Sequence, residues 1–404
     1  MRLLWAVSSV GLGHVMRDLA VVAQLRRRAA VEVDWLAPAP AGDFLRRRGC
    51  TVVPQSDGLL GSGRLYDRIF ATRTDDFNLM EYVAGDTRLH RHDFRVSAGA
   101  WRDAEYDAIV GDEAFWLLSG FASGWSPKPA PFVFLTDFIG TKAMTSRPAE
   151  RLRSWYQNLR FTFSHRGPDA YVYIGSAGEI PDEPLGPLLP GRRRWAERHC
   201  RFVKPVVGFD AKSPPEKAGL RRRLGLPSGG PLFLATVGPH GDHRARTAQM
   251  EGVFDRLRGR HPDAAFVLVG PEPGAKVWIR HHVYLEPLHE YFAASDFVFA
   301  QSGYGKVTEL LALGVPFVAI PLDHHFEQEA FMADRLRHHG AGRVVTLRDH
   351  PPEAMAEIAE SMLGQPMPRI EADDGGEIAD VVLRTASQGA ATGSSTRDGR
   401  ARSR

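Results

Sequence analysis

The stretch from Gln301 to Gln328 decides the fold; it reads QSGYGKVTELLALGVPFVAIPLDHHFEQ. It begins where an apolar run, Phe297–Ala300, ends, and Gly303 and Gly305 then turn the chain into a helical pattern. A glycine and a proline close that helix before a second apolar run, Phe317–Ile320. Two continuous apolar strands joined by a helix are typical of a parallel sheet that is covered on both faces. The stretch therefore predicts a βαβ unit.

The same alternation extends outward in two series of apolar, β-rich runs with helical patterns between them. The first series is Leu3–Val7, Val31–Leu36, Thr51–Pro54, Ala108–Val110, Phe132–Thr136 and Ala170–Ile174. The second is Phe202–Val207, Leu232–Val237, Ala265–Val269, Val283–Leu285, Phe297–Ala300, Phe317–Ile320 and Arg343–Val345. Two such series predict an α/β protein of two Rossmann-like, doubly wound domains.

The boundary between the two domains is expected near Gly208, Pro214 and Pro215, which interrupt the pattern. We assign residues 1–205 to a first domain, 206–375 to a second, and 376–404 to a final helix and a tail. Beyond Gln388 the tail has no apolar period, which predicts disorder. In this fold class ligands bind at the carboxyl ends of the strands, so two such domains are expected to face one cleft.

The turn at Gly303 and Gly305 has the composition of a phosphate-binding site. It leads into a helix whose first N–H groups lack intrahelical partners and attract phosphate or diphosphate. Lys306 adds a positive charge, and the acceptor-only carboxylate of Glu309 suits the two hydroxyls of a ribose. Further on, Glu327 and Gln328 place an acid and an amide side by side, as vicinal sugar hydroxyls require.

The first strand is followed by SSVGLGHVMR, in which Gly11 and Gly13 permit a tight turn and His14 opens a helix. One interpretation is a plain or dinucleotide-binding turn, although Met16 stands where the third glycine of that fingerprint belongs. The other is that His14 is a general base, since an imidazole exchanges a proton near neutral pH. We favour the second interpretation.

Asp112 is the candidate partner of His14, because it ends a strand on the same predicted rim. A carboxylate there would orient the imidazole and stabilise its protonated form. Two alternatives stay open: Asp112 is also a suitable N-cap for the helical pattern Ala114–Ser123, and Glu113 is a rival carboxylate.

These motifs resemble those of the GT-B glycosyltransferases, in particular the peptidoglycan N-acetylglucosaminyltransferase family and the macrolide and plant glycosyltransferases. A glycine turn, a helix with a Glu, a Gly-x-Pro and an acid–Gln pair occur here in the order found in those families, over roughly Leu3–Val345. The N-terminal Gly-x-Gly-His loop, whose His is the proposed base, also matches. The resemblance implies that Glu309 binds the ribose and Gln328 the donor sugar, and that Gly303 and Gly305 approach the diphosphate.

The resemblance also implies further donor contacts in the second domain. They are Gly238, His240 and Gly241 at the diphosphate, Glu286 and Leu288 at the base, and Gln301 where many relatives carry His or Arg. Gln301 carries no charge, so another residue would have to supply the positive charge at the diphosphate. Three candidates stay open, which are Lys306, His240 and Arg244.

The reaction implied is transfer of a sugar from a UDP- or dTDP-sugar to an acceptor hydroxyl, with inversion and without a cofactor. We expect no metal site, because the chain contains no Asp-x-Asp motif. A nucleotide-sugar 2-epimerase of the same fold and a non-catalytic nucleotide-sugar-binding subunit are the alternatives, and His14 fits both less well. The region Phe70–Trp101 and the helix Leu152–His165 would line the acceptor side, although the aromatic residues of the helix are compatible with a core role.

Bulk composition argues for a cytoplasmic protein that does not bind nucleic acid. The formal net charge of +3 arises in Ala386–Arg404, which holds four Arg and one Asp, so the rest of the chain is near neutral. Cys50 and Cys200 are far apart and show no metal-ligand or disulfide pattern. The apolar N-terminus, Leu3–Val10, is short for a signal peptide. Peripheral contact with the inner membrane face is compatible with these features, and the acceptor is a small molecule, a glycan or a lipid-linked compound.

Overall fold

The computed structural model describes residues 1–8, 10–63, 65, 69, 78–213, 215–238 and 240–401, with the side chains of 83, 84, 86, 87 and those from 389 on left out. The chain divides into two compact units. The first contains the described residues 1–63, 65, 79–208 and 373–401; the second contains 69, 78 and Phe209–Ala372. The division thus falls after Gly208, and the chain from Asp373 on returns to the first unit.

The first unit is built on a seven-stranded sheet with the order β3-β2-β1-β4-β5-β6-β7. The strands are β1 (Arg2–Val7), β2 (Glu32–Leu36), β3 (Thr51–Val52), β4 (Ala108–Asp112), β5 (Phe132–Thr136), β6 (Ala170–Ile174) and β7 (Arg201–Val203). Each neighbouring pair is parallel. From β1 the chain adds β2 and β3 on one side and then β4 to β7 on the other. The junction between β1 and β4 is therefore the topological switch point, where ligands bind in such sheets.

Helices connect these strands. They are α1 (Gly13–Arg28), α2 (Ala41–Arg47), α3 (Leu79–Asp103), α4 (Phe115–Ala122), α5 (Pro148–Phe161) and α6 (Arg192–His199), with 3-10 turns at Pro54–Gly58, Ser164–Arg166 and Ala177–Glu179. β1, β4 and β5 are almost wholly apolar and buried, as expected for strands covered on both faces.

The second unit contains a six-stranded parallel sheet with the order β10-β9-β8-β11-β12-β13. Its strands are β8 (Leu232–Thr236), β9 (Ala265–Val269), β10 (Arg280–His282), β11 (Phe297–Gln301), β12 (Phe317–Ile320) and β13 (Arg343–Val344). Its helices are α7 (Lys217–Arg223), α8 (His243–Arg260), α9 (Leu288–Ala294), α10 (Tyr304–Leu313), α11 (Met332–His339) and α12 (Pro352–Met362), and a π-helical turn, Phe326–Phe331, precedes α11. The predicted α/β class and the two Rossmann-like units are confirmed.

Three sequence-based assignments differ from the structure. The run Phe202–Val207, assigned to the second series, contributes β7 to the edge of the first sheet. Val283–Leu285 is not a strand, because the pairing with β9 is made by Arg280–His282. The last helix, α13, runs through Gly376–Ala401, so the backbone beyond Gln388 is helical and not disordered as predicted.

The start of α13 is held in the first unit by contacts with α1. Gly375 is in the left-handed region, with φ 96°, and an added Cβ would lie 2.7 Å from the Cα of Val21. The guanidinium of Arg28 donates to the carbonyl oxygen of Gly376 at 2.8 Å. These contacts explain why the end of the chain joins the first unit although the second unit precedes it in sequence.

Candidate active site and donor site

The glycine loop after β1 places His14 at the start of α1. Gly11 has φ 76°, a left-handed conformation that favours glycine, and α1 begins at Gly13. The backbone N–H of Ser8 donates to the carbonyl oxygen of Asp112 at 2.9 Å, which ties the start of the loop to the end of β4. His14 therefore lies beside the carboxyl end of β4, with 16% of its side chain exposed.

Asp112 is the last residue of β4 and is fully buried. Its Oδ2 lies 3.3 Å from Nδ1 of His14, as the predicted pair requires. The alternative role of Asp112 as a helix N-cap is wrong, because the N-cap of α4 is Ala114 and it receives no side-chain cap hydrogen bond.

Arg17, one helical turn after His14, joins the acidic groups of this cluster. Its Nε donates to Oδ2 of Asp112 at 3.0 Å and its Nη2 to Oδ1 at 2.5 Å, the two-pronged geometry that guanidinium and carboxylate favour. Its Nη1 donates to Oδ2 of Asp137 at 2.8 Å. Nη2 also lies 2.9 Å from Nδ1 of His14. Arg17 is buried, so these contacts are shielded from water.

Glu113 contacts the opposite nitrogen of the imidazole. Its Oε2 lies 3.5 Å from Nε2 of His14, and its backbone φ of 48° is unusual for a residue other than glycine. Such backbone conformations cluster at functional sites. Both carboxylates that the sequence offered therefore contact His14, Asp112 at Nδ1 and Glu113 at Nε2.

The charges in this cluster hold Asp112 ionised. Burial alone would raise the pKa of Asp112, but the charges of Arg17 and His14 outweigh it and hold that pKa well below the usual range. The neighbouring Asp18 behaves in the opposite way, because burial and then the charge of Asp112 raise its pKa well above the usual range. An ionised Asp112 stabilises positive charge on the imidazole, which is what a supporting carboxylate must do.

In the second unit, the glycine turn leads into α10 as the sequence predicts. Gly303 is the N-cap of the helix, and it makes no side-chain capping hydrogen bond. Its backbone N–H donates to the carbonyl oxygen of Gln301 at 2.8 Å, which closes the turn. At the other end Gly314, with φ 70°, provides the left-handed C-cap. The first N–H groups of α10 lie at the carboxyl end of β11, where an anion can bind.

Gln301, Gly238 and Lys306 pack together at that end of the sheet. The Nζ of Lys306 donates to Oε1 of Gln301 at 3.3 Å. A Cβ on Gly238 would lie 1.5 Å from the same Oε1, so the position requires glycine while Gln301 keeps this conformation. Burial lowers the pKa of Lys306 to about 8, against the opposing charge of Glu309.

Glu309 lies in the middle of α10 and not in its first turn. Among the described residues no group forms a hydrogen bond with its carboxylate. Burial raises the pKa of Glu309 to about 7, and the nearby charge of Lys306 limits the rise. The carboxylate is thus a partly buried acceptor whose hydrogen-bonding capacity is unused by the part of the chain that the structure describes.

Glu327 and Gln328 lie in the π-helical turn Phe326–Phe331 and not in an ordinary helix start. Such turns are frequent at functional sites. The Oε1 of Gln328 accepts from the backbone N–H of Leu322 at 3.1 Å, and its carbonyl oxygen accepts from the Oγ of Ser302 at 2.6 Å. These contacts fix Gln328 against the α10 turn, and its amide NH2 forms no hydrogen bond within the part of the chain that the structure describes.

The loop after β8 brings two more predicted residues, His240 and Gly241, to the same end of the sheet. Gly241 has φ 91°, and Asp242 caps α8 by accepting from the backbone N–H of Ala245 at 3.0 Å. Burial, and then the charge of His240, lower the pKa of His325 to about 3.

The remaining predicted donor residues occupy more exposed positions. Arg244 has 87% of its side chain exposed, and its Nε lies 3.8 Å from Oε2 of Glu272. Glu286 accepts from the hydroxyl of Tyr284 at 3.3 Å, and Leu288 begins α9. Of the three candidate cations, Lys306 is the one in contact with Gln301.

Sequence reasoning missed three residues of these clusters: Arg17, Asp137 and Arg246. The sequence contained a signal for the first two. Arg17 lies three residues after His14, on the same face of the predicted helix. Asp137 directly follows β5, a position comparable to that of Asp112 at the end of β4. Arg246 carried none; it is buried in α8, and its Nη2 donates to the carbonyl oxygen of Pro321 at 3.2 Å.

Comparison with known proteins identifies the type of domain in the second unit. Residues 259–376 match the model of the glycosyltransferase family 28 C-terminal domain. The chain thus resembles the GT-B glycosyltransferases. The match covers most of the second unit, including α10 and the π-helical turn.

Two curated relatives are also glycosyltransferases by name. One, an uncharacterized glycosyltransferase of Methanopyrus kandleri, is 27% identical over 179 residues, which are 43% of this chain and 50% of the relative. The other, from Bifidobacterium longum, is a UDP-N-acetylglucosamine–N-acetylmuramyl-(pentapeptide) pyrophosphoryl-undecaprenol N-acetylglucosamine transferase. It is 28% identical over 202 residues, 44% of this chain and 51% of the relative. The chain spans about half the length of these relatives.

A solved structure shows the same fold along nearly the whole chain. The glycosyltransferase of kitacinnamycin has a TM-score of 0.61 at 16% identity, covering 95% of this chain and 94% of its own. The two-domain GT-B fold is therefore confirmed. In the described part of the chain, no helix is long and apolar enough to cross a membrane.

Proposed function

We propose that the protein is an inverting, metal-independent glycosyltransferase that moves a sugar from a nucleoside diphosphate sugar, UDP- or dTDP-linked, to an acceptor hydroxyl. His14 is the general base and Asp112 its supporting carboxylate. The observation that carries the proposal is the buried cluster in which Asp112, held by Arg17, contacts Nδ1 of His14 at 3.3 Å.

The chemistry follows from this cluster. The acceptor hydroxyl gives its proton to His14 while its oxygen attacks the anomeric carbon, and the bond to the diphosphate breaks. Asp112 stays ionised and stabilises the protonated imidazole, and Arg17 holds Asp112 in place. Single displacement of this kind inverts the anomeric configuration.

The second unit supplies the donor site. Glu309 accepts from the ribose hydroxyls, since its carboxylate makes no hydrogen bond to other described residues. The N–H groups at the start of α10 and the ammonium of Lys306 bind the diphosphate and stabilise the charge that grows on it. Gln328 presents its amide to the sugar. The name of the Bifidobacterium longum relative, which takes UDP-N-acetylglucosamine, supports a UDP-linked donor.

The acceptor binds, in this proposal, in a cavity of about 590 Å³ in the first unit. Its apolar lining includes Trp155, Leu152 and Leu188. Its charged lining includes Lys142 and Arg151, and Lys142 pairs with Glu183 at 2.9 Å. The loop that lines it through Thr141 begins just after Asp137, the residue that Arg17 contacts. This lining suits an acceptor with an apolar body and an anionic group.

The test is a thermal-shift screen of the protein with UDP-, dTDP- and GDP-sugars, followed by calorimetry on the best donor in EDTA. The proposal expects one nucleotide-sugar to raise the melting temperature, and Glu309→Ala to weaken binding of that donor and of the free nucleotide alike. Equal affinity in wild type and Glu309→Ala would refute the donor site. Transfer that EDTA abolishes and magnesium restores would refute metal independence.

The two alternatives predict different outcomes in the same experiment. A 2-epimerase would convert the donor sugar without any acceptor and without releasing nucleotide. A binding subunit would bind the donor and release nothing. The matched family and the relatives favour neither of them.

A further inference from the structure

A second cavity lies in the first unit, away from the cluster of His14. It measures about 820 Å³ and lies between α3 and the loop that follows α4. Its lining includes Arg91, Phe94, Arg95, Trp101, Arg102 and Trp125. The size is within the range of small-molecule sites.

This cavity is at the opposite edge of the sheet from His14. α3 ends at Asp103, shortly before β4 begins at Ala108, and the loop after α4 leads into the start of β5 at Phe132. Both segments therefore lie toward the amino ends of the parallel strands, whereas His14 follows the carboxyl end of β1. The cavity is thus separate from the proposed transfer site.

One side of the cavity is strongly basic. Arg91, Arg95 and Arg102 recur at helical spacing on one exposed face of α3, and Lys128 faces them from the loop. Lys128 pairs with Asp169 at 2.7 Å, but the three arginines have no carboxylate partner among the described residues. The Nε of Arg102 donates to the carbonyl oxygen of Ala98 at 3.1 Å, which leaves its two Nη groups for other partners. Three guanidinium groups around one cavity attract an anion and can bind carboxylate or phosphate in a two-pronged manner.

The other side is aromatic. Phe94 packs edge-on against Trp101 at 5.9 Å and against Trp125 at 5.6 Å between ring centroids. The guanidinium of Arg91 lies 5.7 Å from the centroid of Trp125. Both indoles are only partly buried, so each presents ring surface to the cavity. Indole faces of this kind bind flat rings by stacking.

We propose that this cavity is a binding site for an aromatic anion, a flat ring that carries a phosphate, sulfate or carboxylate group. The ring lies against Trp101 and Trp125, and the anionic group is bound by the arginines of α3. This proposal does not depend on the proposed function, because the site is separate from the residues assigned to sugar transfer.

The test uses 1-naphthyl phosphate as the probe and ¹⁹F NMR of the full chain labelled with 5-fluorotryptophan. The chain has eight tryptophans, and Trp101→Phe and Trp125→Phe assign the two relevant signals. We expect saturable shifts of these two signals while the other signals stay in place. Inorganic phosphate, which has no ring, should give much weaker shifts.

The double variant Arg91→Glu/Arg95→Glu should raise the Kd for the probe by about tenfold or more, since it reverses two exposed charges at the site. Arg222→Glu, an exposed charge reversal in the second unit, is the matched control and should leave the Kd unchanged. No shift of the Trp101 and Trp125 signals at millimolar probe, or equal affinity in the double variant, would overturn the proposal.

Discussion

Arg17 donates two hydrogen bonds to the carboxylate of Asp112, from Nε at 3.0 Å and from Nη2 at 2.5 Å, in a buried site. The same guanidinium reaches Asp137 and Nδ1 of His14. The candidate base is therefore held by a network of four residues and not by a pair. This relationship makes Arg17 a positioning residue, one that acts through Asp112 and His14.

Removing Arg17 should destabilise the protein strongly. Arg17→Met leaves Asp112 and Asp137 buried without their cation, and breaking a buried ion pair costs about 3–5 kcal/mol in the free energy of unfolding. Urea unfolding measures the loss, and exposed Arg222→Met is the control, with little change expected.

This loss should also depend on pH. The folded-state pKa of Asp112 lies below its unfolded value, so its ionic contribution is present above the unfolded pKa and disappears as the pH falls through the folded pKa. The difference in the free energy of unfolding between wild type and Arg17→Met should therefore become smaller in acid. A difference that is the same at all pH values would contradict the role of Asp112 in the network.

The contribution of Asp18 to stability should depend on pH in the opposite direction. It is fully buried, and neither of its carboxylate oxygens has a hydrogen-bond partner in the described part of the chain. Because its folded-state pKa is raised, the residue costs stability above the unfolded pKa, and the cost disappears in acid. Asp18→Asn should therefore raise the melting temperature near neutral pH and lose that advantage near about pH 4.

The exposed Asp182→Asn is the control for Asp18→Asn, since 75% of its side chain is in solvent. Asp182→Asn should change the melting temperature little at either pH. A lower melting temperature for Asp18→Asn at neutral pH would mean that the ionised carboxylate of Asp18 stabilises the fold, against this account.

Donor affinity should have an optimum in pH. The pKa of Glu309 is raised to about 7 and that of Lys306 is lowered to about 8. As the pH rises through the first value, Glu309 ionises and accepts the ribose hydroxyls better. As the pH rises through the pKa of Lys306, this residue loses the charge that attracts the diphosphate. Calorimetry with a UDP-sugar, whose diphosphate stays ionised throughout, should therefore give the tightest binding between these two values.

Two variants separate the limbs of this profile. Glu309→Gln should remove the acid limb, and Lys306→Gln should remove the alkaline limb. The remaining limb should move to lower pH in Glu309→Gln and to higher pH in Lys306→Gln, because each charge favours ionisation of the other group. A flat profile in the wild type would show that neither group titrates in the donor site as described.

Gly238 should matter through Gln301. An alanine at this position would displace the Gln301 amide, because its Cβ would lie 1.5 Å from Oε1, and would break the contact with Lys306. Gly238→Ala and Gln301→Ala should each weaken donor binding, and the double variant should be no weaker than the worse single variant, since both remove the same contact. Strictly additive losses, measured by calorimetry, would contradict this coupling.

The sequence was sufficient for much of the fold because buried parallel strands are continuous apolar runs. Phe132–Thr136, Ala170–Ile174, Ala265–Val269 and Phe317–Ile320 are strands with the predicted bounds. Sheet membership was harder to predict, as β7 shows: its three residues pair with β6, a tertiary contact that a local pattern does not encode.

The site was predictable where residues sit at strand ends and helix starts. His14 and Asp112 were found in this way, and the structure brings them together. The network around them was not found, because the role of Arg17 depends on carboxylates 95 and 120 residues away in the chain. The π-helical turn at Gln328 was also missed, since an extra residue in a helical turn leaves no clear periodicity.

The most direct test of the central claim is the rate of nucleoside diphosphate release in EDTA, with the donor and acceptor identified by screening, in wild type and His14→Ala. General-base catalysis contributes about 10²–10⁴-fold, so turnover should fall by that order. The Kd for the free nucleotide should stay nearly unchanged, since its proposed contacts are in the second unit. Asp112→Asn should lower turnover less than His14→Ala does. Near-normal turnover in His14→Ala would contradict the account and leave His14 without a catalytic role.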